Sequence, residues 1–163
     1  MSPMSKGFAG FAVAAVLSSV ASAQGLVTEK NIPLAMAQAI ANAAMAQCVS
    51  MGFKVSVAVV DRAGSTIVMM RGDGAGMHTP EGAERKAYAA RTFSQPSADF
   101  INRMKERPDT AGSVHYTRVL ALPGGLPIKA GNEVVGAVGV SGSPGKDDVC
   151  SQAGIDKVAD QLK

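Results

Sequence analysis

The chain has 163 residues and a formal net charge of +3, from 16 basic and 13 acidic side chains. So small an excess of positive charge, without a lysine- or arginine-rich run or a basic-aromatic motif, argues against a nucleic-acid-binding protein. Aromatic residues make up 4% of the chain and tryptophan is absent, so the interior must be built from alanine and the aliphatic residues with methionine.

Residues 1–23 are predicted to form a secretory signal peptide. Lys6 supplies a positive charge, residues 8–20 form a short apolar run, and residues 21–23 (ASA) fit an A-x-A cleavage site. We therefore expect residues 24–163 to form one exported domain, by default periplasmic and alternatively secreted into the medium. No later apolar run reaches the length of a membrane span, so none is expected after cleavage.

The first half of the mature chain is predicted to contain a helix, a β-hairpin and a second helix. In chain order these are a helix over residues 32–51, strands over 54–61 and 66–71, and a helix from 79 to about 94. Asn31 is a candidate N-cap for the first helix, and Thr79 for the second. The strands show alternating and then continuous apolar residues, which is typical of a central strand and its hairpin partner.

The second half is predicted to contain more strands than helices. In chain order it has a helix from 96 to before Pro108, a polar connection over 107–117, strands over 118–122, 126–130 and 133–141, and a helix over 147–162. Strands joined by tight turns indicate an antiparallel sheet. With the flanking helices they predict an α+β fold with five strands, in the order α-β-β-α-α-β-β-β-α.

Short segments spread along the chain carry a resemblance to a known family. They are residues 57–64 (VAVVDRAG), 71–75 (RGDGA), 83–90 (AERKAYAA), 124–128 (GGLPI) and 134–142 (VVGAVGVSG). Together they resemble the GlcG/HbpS-like haem-binding family, which is related to the C-terminal domain of PduO-type proteins, over roughly residues 30–162. The resemblance implies a profilin-like sandwich with a five-stranded antiparallel sheet, assembly into homo-oligomers, and haem binding, haem-dependent sensing or small-molecule metabolism.

His78 is the leading candidate ligand for haem iron. It follows a glycine-rich loop and precedes a predicted helix, where backbone can approach a ligand closely and free N–H groups favour anions. A neutral imidazole commonly binds haem iron. Met77 adjoins this position, and Arg71, Arg85 and Lys86 are candidate partners for the haem propionates. The alternative is that His78 is an exposed loop residue beside a helix cap.

Other candidate ligands lie farther along the chain or beside the hairpin. His115 and Tyr116, in the polar connection, could supply a second iron ligand or close the pocket, and His115 could equally be solvated. Met69, Met70 and Met77 with His78 offer soft ligands for Cu(I). Because adjacent strand residues point to opposite faces, at least one of these methionines is expected to be core.

Cys48 and Cys150 are the two cysteines of the chain, and both fall on inward stripes of predicted helices. Their spacing excludes a C-x-x-C dithiol and a covalently attached c-type haem. If the first and last helices pack side by side, as the family resemblance implies, a disulfide would join them. Closing a loop of roughly 100 residues would add up to about 4–5 kcal/mol in the chain-entropy model. Two buried free thiols are the alternative.

Three functions remain open at this point. The first is an exported, non-covalent haem-binding protein for storage, scavenging or sensing. The second is an auxiliary protein that binds a small organic acid or another anion without haem, at the loop over residues 74–80. The third is an enzyme that acts on a small molecule or degrades haem, for which no acid-base pair argues directly. The glycine-rich loops match neither the dinucleotide-binding nor the P-loop pattern.

Overall fold

The computed structural model describes residues 25–163, so the predicted signal peptide lies outside the described residues. The helices and strands, in chain order, are α1 (Leu34–Ser50), β1 (Ser56–Val60), β2 (Thr66–Arg71), α2 (Thr79–Phe93), α3 (Asp99–Glu106), β3 (Gly125–Ala130), β4 (Glu133–Ser141) and α4 (Asp147–Asp156). Short 3-10 segments cover Pro108–His115 and Ala159–Gln161. None of these helices combines the length and apolar character needed to cross a bilayer.

The strands form an antiparallel sheet in the order β2-β1-β4-β3. All five residues of β1 are buried, as its valine-rich sequence predicts for a central strand. The tight turns between β1 and β2 and between β3 and β4 produce two hairpins, which meet where β1 pairs with β4. The α+β class and the antiparallel arrangement are therefore confirmed.

The expected fifth strand is wrong for the described part of the chain, whose sheet has four strands. The run over residues 118–122 is apolar enough to resemble a strand, but its backbone turns, with Val119 N–H donating to Tyr116 O at 2.9 Å. Val119 is buried against Ala89 and Phe100, so helices rather than a neighbouring strand cover its side chain. An apolar composition by itself is therefore not enough to make this segment a strand.

The expected cap of the first helix is also wrong. Helix α1 begins after Pro33 and has no side-chain cap. Asn31 Oδ1 instead accepts hydrogen bonds from Ile32 N–H at 2.9 Å and from Arg62 N–H at 3.1 Å. The side chain therefore fastens the segment before α1 to the β1–β2 turn, a role that depends on contacts across the fold.

Helices cover both faces of the sheet. Helices α1 and α4 pack over one face around a large apolar core that includes Ile40, Val57 and Val138. Helix α2 lies on the other face, where its backbone comes very close to the sheet. A Cβ on Gly139 would stand only 2.1 Å from Ala83 O, so glycine in β4 permits this close approach.

The cysteine pairing implied by the family resemblance is confirmed. Cys48 in α1 and Cys150 in α4 form a disulfide with a Cα–Cα distance of 5.5 Å, across a sequence separation of 102. Both residues are fully buried within the larger core. The bond thus ties the first helix to the last on a single face of the sheet.

Candidate functional site

A cleft of about 690 Å³ opens on the α2 side of the sheet. The loop before α2 and the first two turns of that helix form one wall, from Gly76 to Lys86. The segment around Leu120 and Leu122 forms another, and the segment from Ser141 to Asp147 forms a third. This volume lies within the range of small-molecule and cofactor sites, and the glycine-rich loops meet there because the fold brings them together.

His78 lies exposed on this cleft, directly before the first residue of α2. None of the hydrogen bonds among residues 25–163 uses its imidazole. The ring rests against Gly76, where a Cβ would stand 2.9 Å from His78 Cε1 and 3.1 Å from Nδ1. Glycine at this position therefore leaves room for the imidazole, whose nitrogens remain available to a ligand.

A buried ion pair forms the floor of the cleft. Lys86 Nζ lies 2.7 Å from Asp147 Oδ2 and also donates to Val140 O at 3.1 Å. Asp147 Oδ1 accepts hydrogen bonds from the backbone N–H of Ser143 at 2.9 Å and from its hydroxyl at 2.7 Å. Because these contacts satisfy both charges, Lys86 holds the walls together and has little freedom to reach a ligand.

Arg85 joins two walls of the cleft. Its Nη1 donates to Glu81 Oε1 and its Nη2 to Val119 O, each at 3.0 Å. The first contact spans one turn of α2, and the second reaches the segment that fails to form a strand. The guanidinium therefore holds that segment against α2, and on the cleft wall its charge is paired with the carboxylate of Glu81.

The other predicted site residues lie off the cleft lining. Arg71 donates two hydrogen bonds to Ala75 O, at 2.6 and 3.1 Å, and so braces the glycine-rich loop from behind. Met77 is 90% exposed, beside His78 in sequence but not on the lining. His115 and Tyr116 end the 3-10 segment and are exposed. The structure thus brings together His78, Arg85 and Lys86, and places these four elsewhere.

The soft-ligand set considered for copper is not assembled. Met70 packs against the larger core, whereas Met69, the next residue along β2, is 40% exposed. No group of three histidine, cysteine, aspartate or glutamate residues within 25–163 is placed to hold a metal ion.

Sequence reasoning missed several residues on the lining, among them Lys54, Leu120, Leu122 and Ser141. The sequence predicts Lys54 and Ser141 at strand ends and both leucines within a strand. The available signal for Ser141 was its place before Gly142, at the end of a buried strand, where a polar side chain reaches the sheet edge. Nothing local to the sequence indicates that this edge faces the start of α2.

Residues 32–156 match the protein family described as haem degrading protein HbpS-like. The uncharacterised 15.0 kDa protein in the dhaT-dhaS intergenic region of Citrobacter freundii is 31% identical over 120 residues, which are 72% of this chain and 84% of that protein.

Solved structures share the fold. A double mutant of HbpS from Streptomyces reticuli is 34% identical with a TM-score of 0.77, over 85% of this chain and 96% of that one. The ORFY protein of Klebsiella pneumoniae is 27% identical with a TM-score of 0.78, over 84% and 97% of the two chains. A PduOC–haem complex is 22% identical with a TM-score of 0.69, over 77% and 94%, and at that identity the likeness concerns the fold alone.

Proposed function

The chain belongs to the HbpS-like family, and from this premise we propose that it is a non-covalent haem-binding protein whose site is the α2 cleft. The observation that carries the proposal is the uncommitted imidazole of His78 on the wall of a cleft large enough for a cofactor. Imidazole is a common axial ligand of haem iron. When bound, haem supplies an iron centre, and the protein supplies its binding, orientation and electrostatics.

The residues around His78 fit a flat, amphipathic group. Leu120, Leu122 and Pro123 form an apolar wall, and Leu122 is 48% exposed although it is a large aliphatic residue. A macrocycle seated there would cover that apolar surface. Lys54 and Arg85 also line the cleft and place positive charge where propionates could be received.

We further propose that the protein acts outside the cytoplasm, in the periplasm or the medium, in haem storage, scavenging or sensing, and that it self-associates. The buried disulfide supports an oxidising compartment, because such bonds persist there. N-terminal sequencing of protein recovered from the periplasmic fraction is expected to begin at Gln24, and light scattering is expected to give a mass above that of one chain. Recovery of the protein from the cytoplasm with an uncleaved N-terminus would contradict export. A monomeric mass would contradict self-association.

The test of haem binding is a titration of the purified protein with haemin, followed by visible spectroscopy. We expect a saturable Soret shift at one haem per chain. His78→Ala should weaken binding by about tenfold or more, since it removes the iron ligand. His115→Ala is the matched control, because it removes the chain's other histidine, which lies off the cleft lining, and it should leave affinity within about twofold.

Each of the other outcomes of this titration would contradict a part of the proposal. The absence of a saturable shift would end the haem proposal. A shift that survives in His78→Ala would retain haem and move the iron ligand, and a loss in His115→Ala would move the site off the cleft.

The family description names haem degradation, so the same complex can be tested for turnover. Ascorbate is added to the haem-bound protein and the Soret band is followed with time. A stable band supports a binding protein, as proposed. Catalytic loss of the band with release of iron would identify an enzyme, and the proposed role in storage or sensing would then be wrong.

A further inference from the structure

We infer that the cleft wall between the end of β4 and the start of α2 is a subsite for a carboxylate group of the ligand, which accepts a hydrogen bond from Ser141. The inference rests on the proposed cleft as a ligand site and specifies the chemistry that it recognises. A haem propionate and a small free carboxylic acid present the same group.

Ser141 is a buried polar residue without a partner. It ends β4, lines the cleft and is 7% exposed. None of the hydrogen bonds within the described part of the chain uses its hydroxyl. Because the hydroxyl reaches the cleft lining, a ligand that accepts a hydrogen bond from it does not have to displace a protein partner.

The neighbouring hydroxyl groups already donate hydrogen bonds within the protein. Thr79 Oγ1 donates to Gly76 O at 2.7 Å, so at its 2.8 Å contact with Ser56 Oγ it must accept. Ser56, the register partner of Ser141, is therefore the donor in that contact. Thr79 and Ser141 are the two hydroxyl residues on the cleft lining, and of these Ser141 is free to donate a hydrogen bond to a ligand.

A glycine in the first turn of α2 leaves room for this hydroxyl. A Cβ on Gly82 would stand 2.6 Å from Ser141 Oγ, closer than real Cβ contacts allow. Glycine inside a helix is unfavourable relative to alanine, so its presence here indicates a local requirement for space. The hydroxyl thus lies against the N-terminal turn of a 15-residue helix.

The surroundings favour an anion over a neutral acceptor. The N–H groups of Thr79 and Gly82 already donate to Gly76 O and His78 O, but the dipole of α2 still stabilises negative charge at this end of the helix. Lys54 adds a positive charge to the same lining, and the carboxylate of Glu81 there is paired with Arg85. Lys86 is not counted as a further partner of the ligand, because its charge is paired with Asp147. A carboxylate can accept a hydrogen bond from the Ser141 hydroxyl while the positive end of the helix dipole stabilises its charge.

The experiment compares haemin with haemin dimethyl ester, which lacks the propionate charges, in the wild type and in Ser141→Ala. We expect Ser141→Ala to weaken haemin binding by about tenfold, the size expected for a hydrogen bond to a charged group. Binding of the dimethyl ester should change by less than about twofold. Ser56→Ala is the matched control, since its hydroxyl serves Thr79, and it should not discriminate between the two ligands.

A second variant guards against a merely structural effect. Gly82→Ala places a methyl group where the hydroxyl lies, and it should reproduce the selective loss of haemin binding. Equal losses for haemin and its ester in Ser141→Ala, or no loss for either, would overturn the subsite.

The subsite and the haem proposal can fail separately. If the wild type binds no haemin, the proposed function fails, and the subsite is tested with succinate by thermal shift. Stabilisation of the wild type that Ser141→Ala abolishes would support a carboxylate site for a small organic acid. Succinate that stabilises neither protein, or both equally, would overturn the subsite as well.

Discussion

The two faces of the sheet are covered in different ways. On one face, α1 and α4 enclose a continuous apolar core and are joined by the Cys48–Cys150 disulfide. On the other, α2 contacts the sheet through alanine and glycine, and its smaller core leaves space for a cleft with a buried Lys86–Asp147 pair. One face is thus filled and cross-linked, whereas the other keeps an open cleft, which is where we propose that the ligand binds.

The two faces meet at Ser143. Its Oγ lies 3.1 Å from Cys48 Sγ and donates to Asp147 Oδ1 at 2.7 Å. Asp147 in turn receives Lys86 on the cleft floor. A chain of buried contacts therefore runs from the disulfide to the cleft. A substitution on one face can be used to measure how strongly it affects the other.

The largest effect is expected when the ion pair is broken on the binding face. Lys86→Met leaves the Asp147 carboxylate buried without its cation, which should lower the free energy of unfolding by about 3–5 kcal/mol. Urea denaturation at neutral pH measures this. The double variant Lys86→Met, Asp147→Leu is the control and should recover part of the loss. A single variant as stable as the wild type would contradict a structural role for the pair.

Loss of the disulfide should come next and should spare the cleft. Cys48→Ala with Cys150→Ala is expected to lower the free energy of unfolding by about 2–5 kcal/mol, because the closed loop is long. Haemin affinity below the unfolding transition should stay within about threefold, since the floor pair remains intact. A tenfold loss of affinity in the still-folded protein would show that the two faces are coupled through Ser143.

A smaller and more local effect is expected at Gly76. Gly76→Ala would push the His78 ring aside, because the new Cβ would stand 2.9 Å from Cε1. We expect haemin affinity to fall by a few-fold to tenfold while stability changes by less than about 1 kcal/mol. Gly112→Ala is the matched control, since a Cβ there meets nothing within 4 Å. Equal affinities for the two variants would show that the orientation of His78 does not matter.

The smallest effect concerns a pair outside both faces. The exposed Arg107 guanidinium donates to Asp109 and lowers the pKa of that carboxyl below its ordinary value of 3.8. Because the folded-state pKa is depressed, the contribution to stability is present above pH 3.8 and lost as the pH falls through the lowered value. Asp109→Asn should therefore slightly lower Tm at pH 7, and its difference from the wild type should shrink as the pH falls below 3.8. A large change in Tm at pH 7 would show that this exposed pair matters more than expected.

Local signals determined most of the secondary structure. Strands β2 and β4 have the bounds that the sequence predicts, because apolar patterning and the turns around them are properties of neighbouring residues. The run over 118–122 has the same apolar character but no strand to pair with, since helices bury Val119. The apolar pattern of a segment indicates which side chains the fold can bury, whereas strand pairing depends on which other segment lies next to it in the fold.

The α+β class, the antiparallel hairpins and the choice of His78 as candidate ligand could be predicted from the sequence, because each depends on residues that are neighbours in the chain. With the family resemblance it also implied the disulfide. The pairing of Lys86 with Asp147, 61 positions away, could be read from the three-dimensional fold and not from the sequence. The same is true of the Ser141 hydroxyl, which lies beside Gly82 and is free to donate a hydrogen bond. Burial and partnering of a polar group depend on which distant segments the fold brings together, and the pattern of adjacent residues does not carry that information.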